Sequence, residues 1–275
     1  MLIFSVIMAV ITTTLLSVFG GFVTVWYDFW KVLLLLIGSY GAWCVVVVIF
    51  AFVVTLPINI NKPIKKPSKF YTWLFNFVNG WIIDSARVKL IVNGLDKIDP
   101  NTNYLFVYNH RSKFDSQIVP RLFKKHNILL ISKPENLKAP IAGKCIHAMG
   151  YMPIDRENNR KAIETILKAA DYLKNGHSIG LCPEGRRNKT GIDLLPFKNG
   201  AFKVAQRAKA PIVVLTLNGT EKIHKNFPLK CTVVHLDVLD VIPADKVATM
   251  TTQEIGDYAS EIMQANIDLY KQQNK

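Results

Sequence analysis

Two long apolar runs open the chain, and no later segment resembles them. Residues 2–26 and 32–60 contain no charged side chain. Since about 20 helical residues cross the roughly 30 Å hydrocarbon core of a bilayer, each run is long enough for a transmembrane helix. The short connection between them favours an antiparallel hairpin, with Trp26, Tyr27 and Trp30 in the interfacial belt. The alternatives are a re-entrant hairpin in one leaflet and, for the first run, a cleaved secretory signal, although that run has no basic n-region.

A basic linker stiffened by prolines follows the second run. It contains Pro57, Lys62, Pro63, Lys65, Lys66, Pro67 and Lys69. By the positive-inside tendency, this linker and the domain after it belong on the cytoplasmic side. The next segment, residues 70–81, is strongly aromatic and predicts either a helix in the membrane interface or a core helix of the following domain. We therefore divide the chain into a helical hairpin (1–60), a linker with this aromatic segment (61–86) and a folded domain (87–275).

The folded domain shows alternating strand and helix patterns. Apolar runs rich in β-branched and aromatic residues predict strands at 88–92, 104–108, 128–132, 178–181, 212–217 and 231–239. Residues 158–174 predict a helix that ends at Gly176, with an apolar stripe of Ile163, Ile166, Leu167, Ala170 and Leu173. About 190 residues are enough for one core, so we expect a single α/β domain with a mixed sheet and helices on its faces.

The C-terminal helix carries its own start signal. Thr251 and Glu254 form a capping box, in which a hydroxyl and a carboxylate bind the first free amides of a helix. The apolar positions after this box are Ile255, Ala259, Ile262 and Met263. We expect this side of the helix to face the core.

Composition adds a partner class to this picture. The chain has 275 residues, a formal net charge of +14 and half of its residues hydrophobic. Such a basic and apolar chain suits anionic lipid or an acidic carrier protein. A nucleic-acid binder is the weaker interpretation, because much of the positive charge lies next to the apolar runs and no nucleic-acid motif is present.

Cysteine and histidine spacing argues against a metal or a disulfide framework. The four cysteines, Cys44, Cys145, Cys182 and Cys231, are scattered, which is typical of small buried side chains in a reducing compartment. The six histidines form no pair at metal-ligand spacing, so we predict no metal. Cys182 is a poor candidate nucleophile, because no partner histidine follows it.

The candidate chemistry begins with His110 and Asp115, which follow the predicted strand at 104–108. Five residues on one helix are about 140° apart, so the two side chains would not meet if both were helical. We therefore expect His110 in the turn and Asp115 in the first turn of the next helix. The carboxylate would then hold one ring nitrogen and leave the other as a base. The alternative is that His110 only caps a helix or fills a surface loop.

Two further segments provide cations after predicted strands or turns. In the loop after the strand at 178–181, Glu184 and Gly185 precede Arg186 and Arg187. Arg187 can bind a phosphate with two hydrogen bonds, and Glu184 can fix a polyol hydroxyl or the arginine. The glycine turn at 150–156 supplies another arginine, Arg156.

Taken in order, these segments resemble the glycerolipid acyltransferases, in particular the 1-acyl-glycerol-3-phosphate (lysophosphatidic acid) acyltransferases. That family's pattern is Asn-His, four residues, Asp; then a glycine turn ending in Ile-x-Arg; then Phe-Pro-Glu-Gly-Thr-Arg; then a Pro-Ile-Val strand. The resemblance covers about residues 109–217. Two positions depart from it, because Arg186 replaces the usual threonine and Cys182 the usual phenylalanine.

The resemblance implies transfer of an acyl chain from coenzyme A or acyl carrier protein to the sn-2 hydroxyl of a lysophospholipid. In this role His110 is the base, Asp115 its orienting group, and amides at the helix start bind the oxyanion. The implied substrate-binding residues are Asn109, Arg156, Glu184, Gly185, Arg186 and Arg187. No cofactor is implied beyond the thioester co-substrate.

The resemblance also implies a membrane protein, integral or monotopic, of the cell membrane or an endomembrane. Its catalytic domain would face the cytoplasm, and its partners would be phospholipid and lysophospholipid. Glycerol 3-phosphate or a different lysophospholipid is the alternative acceptor. A lipid-binding protein without chemistry is the alternative from another class, and it would not need His110 beside Asp115.

Overall fold

The computed structural model describes residues 2–21, 29–64, 66–189 and 193–273. Its helices are α1 Leu2–Phe19, α2 Phe29–Thr55, α3 Lys69–Ser85, α4 Asp115–Leu122, α5 Ala142–Ala148, α6 Asn159–Lys174, α7 Lys203–Ala208, α8 Ile223–Asn226, α9 Ala244–Thr249 and α10 Thr252–Gln273. Its strands are β1 Val88–Asn93, β2 Leu105–Tyr108, β3 Leu129–Ser132, β4 Met152–Pro153, β5 Ile179–Leu181, β6 Ile212–Asn218 and β7 Thr232–Ile242.

The strands form one mixed sheet in the order β1-β7-β6-β2-β5-β3-β4. Only the β6–β7 pair is antiparallel among the described strand pairs. The α/β mixed-sheet prediction is therefore confirmed, and all six predicted strands are present with ends shifted by a few residues. The two-residue strand β4 was missed, because Met152 and Pro153 show no apolar run of their own.

The sheet is covered on both faces, and its central strand shows why. Leu105 and Val107 of β2 pack into the layer that holds α6, α7 and α10. Phe106 and Tyr108 point to the opposite layer, which holds α3, α4 and α5. This alternation follows from the two-residue period of a strand. Both layers need apolar side chains, so β2 is apolar throughout.

The two apolar runs form helices that are shorter than the runs themselves. The structure places α1 over 18 residues and α2 over 27, and Trp43 Nε1 of α2 donates to Thr12 Oγ1 of α1 at 3.2 Å. By length and composition, the segment Trp30–Thr55 is long enough to cross a membrane, whereas Phe4–Phe19 is shorter. Helix α1 is therefore about 27 Å long at 1.5 Å per residue, which is shorter than the predicted first span. Trp26, Tyr27 and Lys65 lie outside the described residues.

The aromatic segment combines features of both predicted alternatives. Helix α3 buries Leu74, Asn79 and Ile83 against the domain. Its other side exposes Phe70 and Trp73, which are 46% and 56% accessible. The helix is thus part of the domain core on one face and presents aromatic side chains on the other.

The linker is tied to the domain before α3 begins. The Ser68 amide donates to the Ala148 carbonyl at 2.9 Å, and His147 Nε2 lies 3.0 Å from the Lys62 carbonyl. The ring of Pro67 lies 3.0 Å from the place where a Cβ on Gly150 would stand, and Gly150 has a φ of +93°. Glycine suits this position because it tolerates the left-handed backbone and leaves room for the proline.

The apolar stripe of α6 differs from its prediction. Ala170 and Leu173 are buried as expected. Ile163, in contrast, is 59% exposed, and it lines a cavity together with Ile166 and Leu167. The first half of this helix therefore faces a cavity, which a sequence pattern does not distinguish from a core. The capping box of α10 is confirmed by the Thr251 amide, which donates to Glu254 Oε2 at 2.7 Å.

Candidate active site

The candidate site lies where two neighbouring parallel strands end. The loop of residues 109–114, here the His110 loop, follows β2. The loop of residues 182–188, here the Glu184 loop, follows β5, and β2 and β5 are paired in parallel. Because the carboxyl ends of parallel strands meet at one edge of a sheet, the two loops are adjacent. The Asn188 amide donates to the His110 carbonyl at 2.7 Å and joins them directly.

The His110–Asp115 pair is formed as the spacing predicted. His110 lies in the loop, α4 begins at Asp115, and Nδ1 of the imidazole is 2.9 Å from Asp115 Oδ2. Asp115 is fully buried, whereas the His110 side chain is 21% accessible and lines the cavity. With Nδ1 as the donor, Nε2 is left as an acceptor. No described residue hydrogen-bonds to Nε2 in the structure.

Two backbone amides hold Asp115 Oδ2 in addition to the imidazole. The amides of Arg111 and Ser112 each donate to this oxygen at 2.7 Å. Charge-assisted hydrogen bonds of this kind fix a carboxylate strongly. They also correct one expectation, because these two amides at the helix start are occupied and do not face a substrate. The amide of Lys113 makes no hydrogen bond within the described residues, and Lys113 lines the cavity.

The Asn109 side chain hydrogen-bonds to the backbone of β6 and does not line the cavity; this contact is here called the Asn109 clamp. Its Nδ2 donates to the Leu217 carbonyl at 2.9 Å, and its Oδ1 accepts from the Leu217 amide at 2.8 Å. The side chain is 1% exposed. Both ends of the amide are therefore used to join the end of β2 to β6. The expected role of Asn109 in substrate binding is corrected to a role in holding the His110 loop.

Glu184 is also buried and bonded to the backbone. Its Oε1 accepts from the His110 amide at 2.7 Å, and its Oε2 accepts from the Leu195 amide at 3.0 Å. Burial raises the pKa of this carboxyl, although the two backbone hydrogen bonds act in the opposite direction. No ion pair between Glu184 and an arginine is present among the described residues, and both oxygens support the loops. The expected contact with a polyol hydroxyl stays a prediction.

Gly185 and the two arginines after it form the outer part of the Glu184 loop. Gly185 has a φ of +69°, and the Lys198 side chain lies 3.1 Å from where its Cβ would stand. Arg186 and Arg187 are exposed and line the cavity. Arg156 lines it from the glycine turn and is partly buried, and this burial lowers its pKa. The three predicted arginines thus face one space, which also contains His110.

This space, the site cavity, has a volume of about 1360 Å³. Its lining includes nine cationic side chains, namely Lys113, Lys133, Arg156, Arg186, Arg187, Lys189, Lys198, Lys203 and Arg207. Glu135 is the carboxylate among the lining residues in the described part of the chain. None of the nine cations has a described carboxylate oxygen within 4.0 Å. A concave surface with this charge attracts anionic ligands.

The sequence analysis missed most lysines of this lining, and it did not predict that Ile163, Ile166 and Leu167 of α6 face the cavity. Lys133 lies far along the chain from Lys203 and Arg207, and no linear motif joins these residues. Cys182 also lines the cavity, and burial raises its thiol pKa well above the ordinary value. This keeps the thiol protonated and argues against a nucleophile at this position.

No group of three or more His, Cys, Asp or Glu side chains is placed to hold a metal ion among the described residues.

Comparison with known proteins shows what this chain is similar to. A family model described as Acyltransferase matches residues 89–218. A chloroplastic 1-acyl-sn-glycerol-3-phosphate acyltransferase of Brassica napus is 33% identical over 136 residues, which cover 49% of this chain and 39% of the relative. An enzyme of the same name from Saccharomyces cerevisiae is 28% identical over 176 residues, 62% of this chain and 56% of the relative. The chain thus spans about two fifths to just over half of these relatives.

A solved structure shows that the fold extends beyond the matched segment. The crystal structure of the 1-acyl-sn-glycerophosphate acyltransferase of Thermotoga maritima aligns with a TM-score of 0.58 at 17% identity, covering 98% of this chain and 95% of the other. The family match ends at the last residue of β6, whereas β7 lies between β6 and β1 in the sheet. The family model thus matches just under half of the chain, and the solved structure shares the fold of nearly all of it.

Proposed function

We propose that this protein is a 1-acyl-sn-glycerol-3-phosphate acyltransferase. It transfers an acyl chain from a thioester of coenzyme A or acyl carrier protein to the sn-2 hydroxyl of lysophosphatidic acid, and the product is phosphatidic acid. The names of the relatives from Brassica napus and Saccharomyces cerevisiae support this activity. The observation that carries the proposal is His110, which is fixed by Asp115 and lines a cavity whose cations have no carboxylate partner among the described residues.

In the proposed reaction, Nε2 of His110 accepts the proton of the sn-2 hydroxyl as its oxygen attacks the thioester carbonyl. The tetrahedral intermediate collapses, the carbon–sulfur bond breaks, and the departing thiolate takes the proton from the imidazolium. Asp115 stays ionised and stabilises the transient positive charge. The free amide of Lys113 is the candidate donor for the oxyanion. Ser178 stands in a Gly-x-Ser-x-Gly sequence, but it is fully buried before the start of β5, and its hydroxyl accepts from the Tyr104 amide at 3.1 Å. It therefore lies at the opposite end of this strand from the His110 loop and does not form the strand-to-helix elbow of a serine nucleophile. Since the Cys182 thiol is held protonated as well, attack is direct and no acyl-enzyme forms.

The acceptor is bound through its phosphate. Arg156, Arg186 and Arg187 line the same cavity as His110 and have no carboxylate partner among the described residues. A guanidinium can bind a phosphate with two parallel hydrogen bonds, which also fixes the orientation of the glycerol. The apolar side of the cavity, which includes Ile163 and Ile166, offers space to an acyl chain.

The membrane location follows from where the acceptor resides. A lysophospholipid stays in the bilayer, and exposing its chain to water costs about 0.8 kcal/mol per methylene. Helices α1 and α2 and the exposed aromatic side of α3 hold the site at the bilayer surface, and the linker lysines place the domain on the cytoplasmic side. Protease treatment of sealed inverted vesicles tests this orientation, because the domain after Pro67 should be digested there.

The activity is tested with purified protein in detergent and a matched pair of histidine variants. Thiol release is followed with lysophosphatidic acid, glycerol 3-phosphate and other lysophospholipids as acceptors, and with both thioester donors. The wild type and His224→Ala should be active with lysophosphatidic acid, since His224 is an exposed residue of α8. His110→Ala should be inactive. Equal activity of His110→Ala and His224→Ala would contradict the mechanism, and a preference for another acceptor would change the assigned substrate.

A further inference from the structure

The loop after α8 exposes two large apolar side chains outside the site cavity. It comprises residues 227–231 and is here called the Leu229 loop. Phe227 is 53% accessible, and Leu229, at 81%, is the most exposed large apolar residue among the described residues of the folded domain. Single exposed apolar side chains are common on protein surfaces. Two of them at the tip of one loop indicate a contact surface if the backbone holds them in place.

The backbone of the Leu229 loop is held by hydrogen bonds on both sides. The Lys230 amide donates to the Asn226 carbonyl at 2.8 Å, and Asn226 Nδ2 donates to Thr232 Oγ1 at 2.9 Å. Arg87, the residue directly before β1, donates from Nη1 to the Leu229 carbonyl at 2.7 Å. These bonds tie the loop to α8, to β7 and to the start of β1. The exposure of its apolar side chains is therefore a property of the folded domain.

Cations flank this apolar tip, and acidic residues are scarce around it. The exposed cations of the segment and of its hydrogen-bonded neighbour are Lys222, Lys225, Lys230 and Arg87. The acidic residue before them in the sequence is the partly buried Glu221, and no other follows up to residue 236. Apolar side chains flanked by lysine and arginine suit an anionic membrane surface, because the apolar groups enter the interface while the cations stay at the level of the head groups.

The Leu229 loop lies at the same edge of the sheet as the His110 loop. Strand β6 runs parallel to β2, so both strands end at this edge, and α8 and the Leu229 loop follow β6. The Asn109 clamp joins the ends of these two strands. A bilayer that contacts the Leu229 loop therefore lies at the edge of the domain that holds the candidate site.

Helix α3 connects the Leu229 loop to the two apolar helices. Near the start of α3, the Tyr71 hydroxyl donates to the Val54 carbonyl of α2 at 2.8 Å. Just after its end, Arg87 binds the Leu229 loop. The 17 residues of α3 span about 25 Å at 1.5 Å per residue. The apolar helices and the Leu229 loop are thus at opposite ends of one helix, and contacts at both ends would fix the tilt of the domain on a surface.

We propose that the Leu229 loop is a second membrane contact, in which Phe227 and Leu229 enter the interface of an anionic bilayer and the flanking lysines bind lipid phosphates. This contact is separate from α1, α2 and the aromatic side of α3, and it rests on the proposed membrane location. A bilayer is a better partner than an acidic protein because α3 ties the loop to α2, which contains a segment long and apolar enough to cross a membrane.

Cys231 provides a native attachment point for a probe in this loop. It is the exposed cysteine among the described residues, whereas Cys145 is buried. The full chain is labelled with a fluorophore and reconstituted into vesicles of phosphatidylcholine, alone or mixed with phosphatidylglycerol. Cys231→Ala serves as the labelling blank. We expect nitroxide groups on the lipids to quench the label, and to quench it more strongly when phosphatidylglycerol is present. Iodide in the water should quench it little.

Apolar substitutions test the insertion itself. Phe227→Ser and Leu229→Ser should each lower the lipid quenching about twofold or more, because an apolar anchor is lost. Leu95→Ser is the matched control, since Leu95 is also exposed but follows β1 at the opposite edge of the sheet. It should leave the quenching of the Cys231 label unchanged.

Charge substitutions test the lipid phosphates. The triple variant Lys222→Gln, Lys225→Gln, Lys230→Gln should abolish the additional quenching that phosphatidylglycerol causes. The control variant Lys124→Gln, Lys125→Gln, Lys174→Gln removes the same charge from exposed positions that precede β3 and β5, and therefore lie at the opposite edge. This control should keep the full effect of phosphatidylglycerol.

The outcomes separate this contact from the proposed membrane location. Protein that floats with the vesicles while its Cys231 label is quenched by iodide and not by lipid would overturn the contact of the Leu229 loop alone. Protein that floats with neither kind of vesicle would contradict the membrane location as well. A label that is shielded only after an acidic carrier protein is added would overturn the bilayer as the partner and indicate a protein-docking surface.

Discussion

The His110 loop differs in its physical design from the nine cationic side chains that line the site cavity, here called the cationic wall. In the loop, polar groups are buried and bonded, as Asp115 Oδ2 shows with its three donors. Along the wall, cations such as Lys203 and Arg207 are exposed and have no carboxylate partner among the described residues. The same edge of the sheet therefore holds both a rigid region and one with unsatisfied charge.

The difference matches two separate tasks. A base must be held at a fixed place before the substrate arrives, since small displacements of a reacting group cost much of its rate. Asn109 and Glu184 provide this because both polar atoms of each side chain hydrogen-bond to the backbone. A phosphate-binding group, in contrast, must keep its charge available. Ion pairs within the protein would have to be broken before a ligand could bind.

The largest expected effect comes from breaking the rigid region at its centre. His110→Ala and Asp115→Ala should each lower kcat by about 100-fold or more, because positioned general-base catalysis contributes on that order. KM for either substrate should change much less. Steady-state kinetics of thiol release measure this, with His224→Ala as the control. A near-normal kcat in the His110 variant would exclude a role as the base.

The next effect concerns the clamp behind the base. Asn109→Ala leaves the amide and carbonyl of Leu217 without their partner in a buried place, so the free energy of unfolding should fall by about 2–4 kcal/mol. Asn175→Ala is a matched control on the surface, where the expected change is below about 0.5 kcal/mol. Chemical denaturation in detergent compares the two. An unchanged stability in Asn109→Ala would mean that the clamp is not required.

A smaller effect is expected along the cationic wall. Arg156→Ala and Arg187→Ala should each raise KM for the phosphate-bearing acceptor by about tenfold, since one charge-assisted contact is lost. KM for the thioester donor should change little. Arg160→Ala provides the control, because this side chain is 92% accessible and does not line the cavity. An equal change in both KM values would show that these arginines support the structure or the donor.

Sequence alone predicted the rigid region better than the wall, and the reason is distance along the chain. His110 and Asp115 are five residues apart, so local geometry determines their contact. The clamp from Asn109 to Leu217 joins residues 108 positions apart, and it depends on the strand order of the sheet. For the same reason a motif showed Glu184 beside the arginines but not its bonds to His110 and Leu195.

The wall was only partly predicted, because its members come from many segments. Three arginines were found through their motifs, whereas Lys203 and Arg207 have no pattern that separates them from ordinary surface cations. The stripe of α6 shows a similar limit. Its period predicts an apolar face correctly, but whether that face meets a core or a cavity depends on how far the neighbouring elements lie from it.

The smallest expected effect is the pH dependence of the free energy of unfolding to which Glu184 contributes. Burial raises the pKa of this carboxyl in the folded protein. Its contribution to the free energy of unfolding is therefore fully present below the ordinary pKa of glutamate and is lost as the pH rises through the folded-state value. Relative to Glu184→Gln, which does not titrate, the wild type should lose stability across this window. Glutamine cannot accept the hydrogen bond from the Leu195 amide with its amino group, and this loss changes the free energy of unfolding by the same amount at every pH. The slope of the free energy of unfolding against pH is therefore the informative quantity.

Denaturation at a series of pH values measures this slope, with Glu164→Gln on the exposed side of α6 as the control. A difference between wild type and Glu184→Gln that stays flat or increases with pH would mean that the two backbone amides outweigh burial at this carboxylate.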